Sequence, residues 1–398
     1  MLDRSSKLIP YRFDELADQI NDRVLPEEAD VERYVGLEHL EADSLRIRRW
    51  GDPSEVESTK LRFQPGDIIF GKRRVYQRKV AVADTEGICS AHAMVLRAKP
   101  ENVLPDFLPF FMQSDLFMER AISISVGSLS PTINWKALAR EEFLLPPIKE
   151  QARLVKALTA SMRIQSELQN SLDALRAVTV ATIDSRMRGK SFSGYSHHER
   201  VGFFHHNWPL RPLGKEINSA QYGLSEEAGS AGKYPMLRMM NLENGRVVEN
   251  DIKFIDLSVT EFDRYRLKKG DVLFNRTNSY ELVGRTGVYT LSGDHVFASY
   301  LVRLTTNRER LDPEYLCAFL NAPIGRRQVM SFATRGVSQT NVNATNLKKV
   351  LIPLPPLKYQ RETVEILQAN RSAVEAIKDR INETKRLIAN VISEATSP

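Results

Sequence analysis

Two stretches of this chain keep an apolar rhythm of three and four residues over an unusually long span, one in the middle and one at the end. In the later stretch Leu367, Val374, Ile377, Ile381, Ile388 and Val391 fall in one frame, which also holds Asn370 and Thr384. In the earlier one the frame holds Leu158, Ser161, Gln165, Leu168, Leu172, Leu175, Thr179 and Thr182, and Met162, Ile164, Val178 and Ile183 widen the stripe. Such seams are coiled-coil-like, imperfect but sustained. The first predicted helix starts near Lys149 and ends near Arg188; the second starts near Lys358 and runs nearly to the end. Each follows a proline pair, Pro146-Pro147 or Pro355-Pro356. Proline suits a helix entrance because its missing N–H would find no intrahelical partner there. Arg186, Arg188, Gly189 and Lys190 mark the end of the first, basic residues in the last turn followed by glycine.

The first helix must lead from one half of the chain to the other. If the second pairs with it, the pair is antiparallel, a rod on the order of 60 Å long at 1.5 Å per residue. The alternative is that each helix packs only on its own domain.

The segments that precede the helices repeat each other. Residues 127–151, GSLSPTINWKALAREEFLLPPIKEQ, align without a gap on residues 336–360, GVSQTNVNATNLKKVLIPLPPLKYQ. Eight of the 25 positions are identical: Gly127/Gly336, Asn134/Asn343, Leu138/Leu347, Leu145/Leu354, Pro146/Pro355, Pro147/Pro356, Lys149/Lys358 and Gln151/Gln360. Upstream, residues 61–70 match residues 265–274 through Arg62/Arg266, Gly66/Gly270, Asp67/Asp271 and Phe70/Phe274. Residues 104–114 correspond to residues 312–322, and Pro10, Arg12, Ile20 and Asn21 resemble Pro209, Arg211, Ile217 and Asn218. A repeat this long predicts two similar globular units, each followed by a helix. The stretches after Phe70 and Phe274 diverge in sequence and length, as variable loops on a shared scaffold would.

Composition adds bounds. The 398 residues suffice for two domains with their own cores, and 42% hydrophobic with 27% charged residues is ordinary for a soluble globular protein. No apolar run approaches the roughly 20 residues that span a bilayer, and the start lacks a signal-peptide core. No membrane association is expected, and the expected setting is the cytoplasm. Cys89 and Cys317 lie in different halves, which indicates neither a disulfide framework nor a zinc site.

The net charge of +6 is compatible with nucleic-acid binding without being diagnostic. Its placement is more suggestive. Arg46, Arg48, Arg49, Lys60, Arg62, Lys72, Arg73, Arg74, Arg78 and Lys79 crowd one stretch of the first half, and Arg264, Arg266, Lys268, Lys269, Arg276 and Arg285 the matching stretch of the second. Solvated surface would explain any one of them; the recurrence in both repeats is harder to dismiss.

Catalytic motifs are missing. The Asn/Asp-Pro-Pro-Phe/Tyr loop that an amino-methyltransferase uses to hold a flipped base is absent. Residues 229–234, GSAGKY, resemble a phosphate loop only superficially, with Tyr234 where Ser or Thr must touch magnesium. His197-His198 and His205-His206 lie in a Ser/Gly-containing stretch that reads as a linker, and no cofactor or metal is expected.

The repeated junction, Leu145, Pro146, Pro147, Ile148 and Gln151 in one copy and Leu354, Pro355, Pro356, Leu357 and Gln360 in the other, resembles that of the specificity (S) subunits of type I restriction–modification enzymes. The resemblance extends over almost the whole chain. It implies an α+β fold of two pseudo-repeated target-recognition domains separated by an antiparallel coiled-coil spacer of two long helices. The expected division is a first domain over 1–147, a central helix over 148–190, a linker over 191–207, a second domain over 208–356 and a C-terminal helix over 357–398. The implied function is reading a split, asymmetric site on double-stranded DNA, one half per domain. The helices would dock two methyltransferase (modification) subunits, and restriction/translocase subunits would join them.

Base edges are best read by Arg, Lys, Asn and Gln on loops. The candidates are Lys72, Arg73, Arg74, Gln77, Arg78 and Lys79 in the first domain, and Asn275, Arg276, Thr277, Asn278, Tyr280 and Arg285 in the second. Arg276 stands out as a base reader within its polar run. The loops 128–132 and 338–343 form a second candidate surface, while Asn134 and Asn343, shared by both copies, fit helix caps or braces of the scaffold. Two other classes stay open: a single-chain modification or restriction enzyme, and a two-headed adaptor for protein or RNA.

Overall fold

The computed structural model describes residues 7–42, 44–336 and 339–397. The chain divides into two compact units, Met1–Asn170 with Lys378–Pro398, and Ser171–Ile377. The division passes through both long helices, so each unit holds one half of each.

The central helix spans Ile148–Arg188 and the C-terminal helix Leu357–Thr396. The first ends on Gly189, whose φ of +68° lets the Lys190 N–H turn back to the Ser185 carbonyl (2.9 Å), a glycine C-cap. In the first unit Leu154 and Leu158, early in the central helix, share a core with Ile392 and Ala395, late in the C-terminal one. In the second unit Ile183 and Met187 meet Val364, and the Arg186 guanidinium lies 3.9 Å from the Tyr359 ring centroid. The start of one helix meets the end of the other in each unit, so the pairing is antiparallel. Every frame residue of the two stripes is buried or partly covered. Ile164 and Val178 are more than half exposed instead and do not widen the seam.

Each unit is built on an antiparallel sheet with the same order. In the first, the strands run Ala17–Ile20, Ala93–Ala98, Ile68–Gly71, Val80–Val82 across the sheet; in the second, Ile217–Tyr222, Leu301–Thr306, Val272–Asn275, Thr286–Val288, extended by Arg246–Val247, which joins in parallel, and by Leu242–Glu243. A two-stranded ribbon closes each unit, Ile9–Arg12 against Glu142–Leu145 and Leu210–Pro212 against Leu351–Pro353. The repeated Gly-Asp makes the same turn twice. Gly66 and Gly270 take φ near +90°, and the buried Asp67 and Asp271 carboxylates accept from the N–H of Gln64 and Lys268, both at 2.9 Å. The first core is dominated by phenylalanines, with Phe117 packed on Phe13, Phe70, Phe111 and Phe143.

The stretch read as a linker is structured. Tyr195–His198 and Gly202–His205 form a hairpin, and Phe192, His205 and Trp208 pack around Tyr359 at the root of the C-terminal helix. His197 packs against Phe203, and His205 against Phe192, His206 and Trp208, in tilted ring contacts. Among the described residues no His, Cys, Asp and Glu gather in a group able to hold a metal ion. No described helix is long and apolar enough to cross a membrane.

Candidate nucleic-acid interface

The variable stretches leave their sheets at equivalent places and are closed by equivalent bonds. In the first unit the Gly71 N–H donates to the Lys79 carbonyl (2.9 Å); in the second the Asn275 N–H donates to the Arg285 carbonyl (2.8 Å). A second pair ties each loop to the segment before the helix junction. The Ile133 N–H donates to the Lys72 carbonyl (3.0 Å), and the Val342 N–H to the Arg276 carbonyl (2.8 Å). The two candidate surfaces of each half are therefore one surface. The framework beneath it is duplicated; the side chains upon it are not.

In the first unit Arg74 and Arg78 both take left-handed φ, flanking a 3-10 turn at Val75–Gln77. Val75 is fully buried and pins this turn to the core, leaving Arg74 and Tyr76 exposed and Gln77 half-buried. The Arg74 N–H donates to the Pro131 carbonyl (2.7 Å), and its Nε reaches Ser130 Oγ (3.3 Å). Arg73 sits beside the His92 ring at 3.1 Å. Burial, and then Arg73 and Lys72, lower the His92 pKa and so favour its neutral ring. Burial, and then Arg23, lower the Lys72 pKa. Two candidates are braces rather than free cations. Arg78 pairs with Asp115 (2.7 Å) and donates to the Gln113 carbonyl (2.6 Å), and Lys79 Nζ donates to the Leu37 carbonyl (2.6 Å).

The wider basic cluster splits the same way. Arg46, Arg48 and Arg49 are exposed, anchored by buried Leu45 before them and buried Ile47 among them. Lys60 is buried and donates to Ser58, while Arg62 donates to the carbonyls of Ala29 and Glu28.

In the second unit Thr277–Asn278 pairs with Thr340–Asn341, which pairs in turn with Thr334–Arg335. Asn275 and Thr277 are buried, so neither can touch a base without unfolding the loop. Arg276 is half-buried over the Tyr222 ring, with its Nη atoms on the Ser299 carbonyl (3.4 Å) and Asn341 Oδ1 (3.3 Å). Reading a base would require it to exchange those contacts. Asn278 is half-exposed, and Tyr280 and Arg285 are exposed. Of the second surface, Ser338 lies outside the described residues. Asn134 and Asn343 cap short helices at Trp135–Leu138 and Ala344–Leu347, as their place in both copies suggests. Sequence reasoning missed Tyr76, Tyr222 and Arg335, aromatic or cationic side chains on these same surfaces.

The profile described as "Type I restriction modification DNA specificity domain" matches residues 53–174 and again residues 216–386. Among curated relatives, the type I restriction enzyme EcoKI specificity subunit of Escherichia coli (strain K12) is 22% identical over 387 residues, covering 89% of this chain and 81% of the relative. The StySPI specificity subunit of Salmonella potsdam is 22% identical over 373 residues, 87% and 79% of the two chains. Among solved structures, the type I restriction-modification system S subunit from M. genitalium superposes with a TM-score of 0.58 at 12% identity, covering 100% of this chain and 98% of that one. A structure reported for complex assembly and conformational transition of the type I R-M system gives a TM-score of 0.60 at 21% identity, covering 98% and 97%. At such identities the structural likeness speaks for the fold.

Proposed function

The chain belongs to the type I restriction modification DNA specificity family, and from that premise we propose that it is the sequence-reading and assembly subunit of a type I restriction–modification complex. Each unit reads one half of a split site on double-stranded DNA. The halves differ because the loops differ, so the site is asymmetric. The two long helices dock methyltransferase subunits, two of them to match the duplicated chain, and restriction/translocase subunits join that core in the cytoplasm. Catalysis, base flipping included, belongs to those partners. One observation carries this reading: matched backbone bonds at Gly71 and Asn275, and at Lys72 and Arg276, present unlike side chains on a repeated frame.

The purified chain alone will transfer no methyl group from S-adenosylmethionine and cut no duplex. Combined with a modification subunit, it will confine methylation to duplexes carrying one split sequence. Turnover by the chain alone, free of partner, would refute this.

Arg73 and Arg74 are proposed as phosphate contacts, because both lie at the rim of the first surface without a carboxylate ion pair among the described residues. Replacing both with alanine will weaken binding to all duplexes alike and flatten the dependence of log affinity on log salt by about 0.9 per lost contact. Titrations at several salt concentrations measure this; an unchanged slope would remove them from the interface. Arg285 is expected to behave likewise in the second unit.

A further inference from the structure

Arg335 closes one edge of the small three-stranded sheet that carries Thr277–Asn278 and Thr340–Asn341. Its guanidinium carbon lies 4.2 Å from the centroid of the Tyr280 ring. Both residues are exposed, and among the described residues no hydrogen bond or ion pair occupies the Arg335 N–H groups. The Tyr280 platform is itself fixed. Arg326 threads beneath it and donates to the carbonyls of Tyr280 (3.1 Å), Glu281 (2.9 Å) and Val283 (2.8 Å). A cation is thus held over a ring whose backbone is braced, with no partner on its side-chain donors among the described residues.

We propose that Arg335 determines specificity in the second unit by reading a guanine in the major groove. The proposal rests on the DNA-reading function above. The guanidinium fork matches the O6 and N7 acceptors of guanine, and a stacked arginine surrenders less freedom on binding than a loose one. The neighbouring cation is poorly placed for this task, because Arg276 already spends its Nη atoms on Ser299 and Asn341. Phosphate binding would leave a different mark on the repeat. Both halves of a duplex present the same phosphates, so a phosphate contact favours like charge at like positions, whereas a base contact changes with the half-site. The residue aligned with Arg335 is Val126, on a hairpin closed by the Val126–Thr132 pair, and it is apolar and 79% exposed. One position of the repeat carries unlike chemistry in the two units, and the hairpins differ in register as well: Val126 faces Thr132, whereas Arg335 faces Thr340.

The test uses the full chain assembled with its modification subunit and a duplex pool randomised over the site. Wild type, Arg335→Ala and Arg335→Lys are compared, with thermal unfolding confirming that all three fold. Arg335→Ala should relax preference at one guanine of a single half-site by roughly 5- to 150-fold, leaving the other half intact. Lysine should restore little of it, since it lacks the fork. Replacing that guanine with 7-deazaguanine, which lacks the N7 acceptor, should weaken wild type and leave Arg335→Ala unaffected. Unchanged preferences, relaxed preference at a base other than guanine, or a uniform loss for all sequences would each overturn the assignment. A wild-type complex that selected no sequence at all would overturn the DNA-reading function, and Arg335's role with it.

Discussion

Exchanging residues 209–354 for the corresponding segment of a relative will replace one half of the recognised sequence and leave the other half as it was. The segment enters at Leu210–Pro212 and leaves at Leu351–Pro353, and these strands pair, so both joints lie side by side on one ribbon. The loops that differ between the units lie wholly inside it, and both long helices lie outside. Trp208 should stay with the host chain, because its ring sits 5.0 Å from that of Tyr359 in the C-terminal helix. Each mismatched base pair costs about 1–3 kcal/mol in a typical site, so three altered pairs amount to about 3–9 kcal/mol, at least a hundredfold in preference. Selection from a randomised duplex pool reads both halves in one experiment. A hybrid that folds but alters both halves, or neither, would contradict the modular reading.

The shared glutamines should prove nearly as consequential for stability. Gln360 is fully buried; its Oε1 accepts from the Asp312 N–H (2.9 Å), and its Nε2 donates to the carbonyls of Pro355 and Arg310, both at 2.8 Å. In the first unit Gln151 Oε1 accepts from the Leu104 N–H (2.8 Å), and Nε2 donates to the Pro146 carbonyl (2.9 Å). Each glutamine staples the strand-to-helix junction to the segment leading into the next helical layer. Leucine fills a similar volume but orphans every one of those backbone groups, at about 1–3 kcal/mol per group. Gln360→Leu should therefore destabilise the second unit by about 3 kcal/mol or more, and Gln151→Leu the first by about 2 kcal/mol or more. Two units need not unfold together, so amide exchange within each unit is the appropriate measurement. Full protection retained by the Asp312 amide in Gln360→Leu would show that the staple carries no weight.

These staples also show what a sequence can disclose. The repeat marked both glutamines as framework, and the proline pairs with the Gly189 stop located the helix ends, because each depends on local backbone geometry. Asn134 and Asn343 were legible as caps for the same reason. The loop residues were harder, since a polar side chain on a variable loop can face solvent or turn inward, and sequence does not separate the two. Arg78 and Lys79 turn to Asp115 and to the Leu37 carbonyl, and Asn275 and Thr277 are covered by their own sheet. Arg335 lies just before the aligned segment that starts at Gly336 and outside the candidate loop that starts at Ser338. Extending the alignment by one residue would have set Val126 opposite it. The hairpin at Tyr195–His198 and Gly202–His205 was hidden by its brevity and by polar, turn-rich neighbours.

The division within the helices has a consequence for the order of synthesis. The second unit, Ser171–Ile377, is one uninterrupted stretch, whereas the first needs Lys378–Pro398, which are translated after all of the second. Until those residues emerge, Leu154 and Leu158 lack the cover of Ile392 and Ala395. The unit that begins first is therefore completed last, and clipping the chain near residue 380 would injure the half that lies farthest from the cut in sequence.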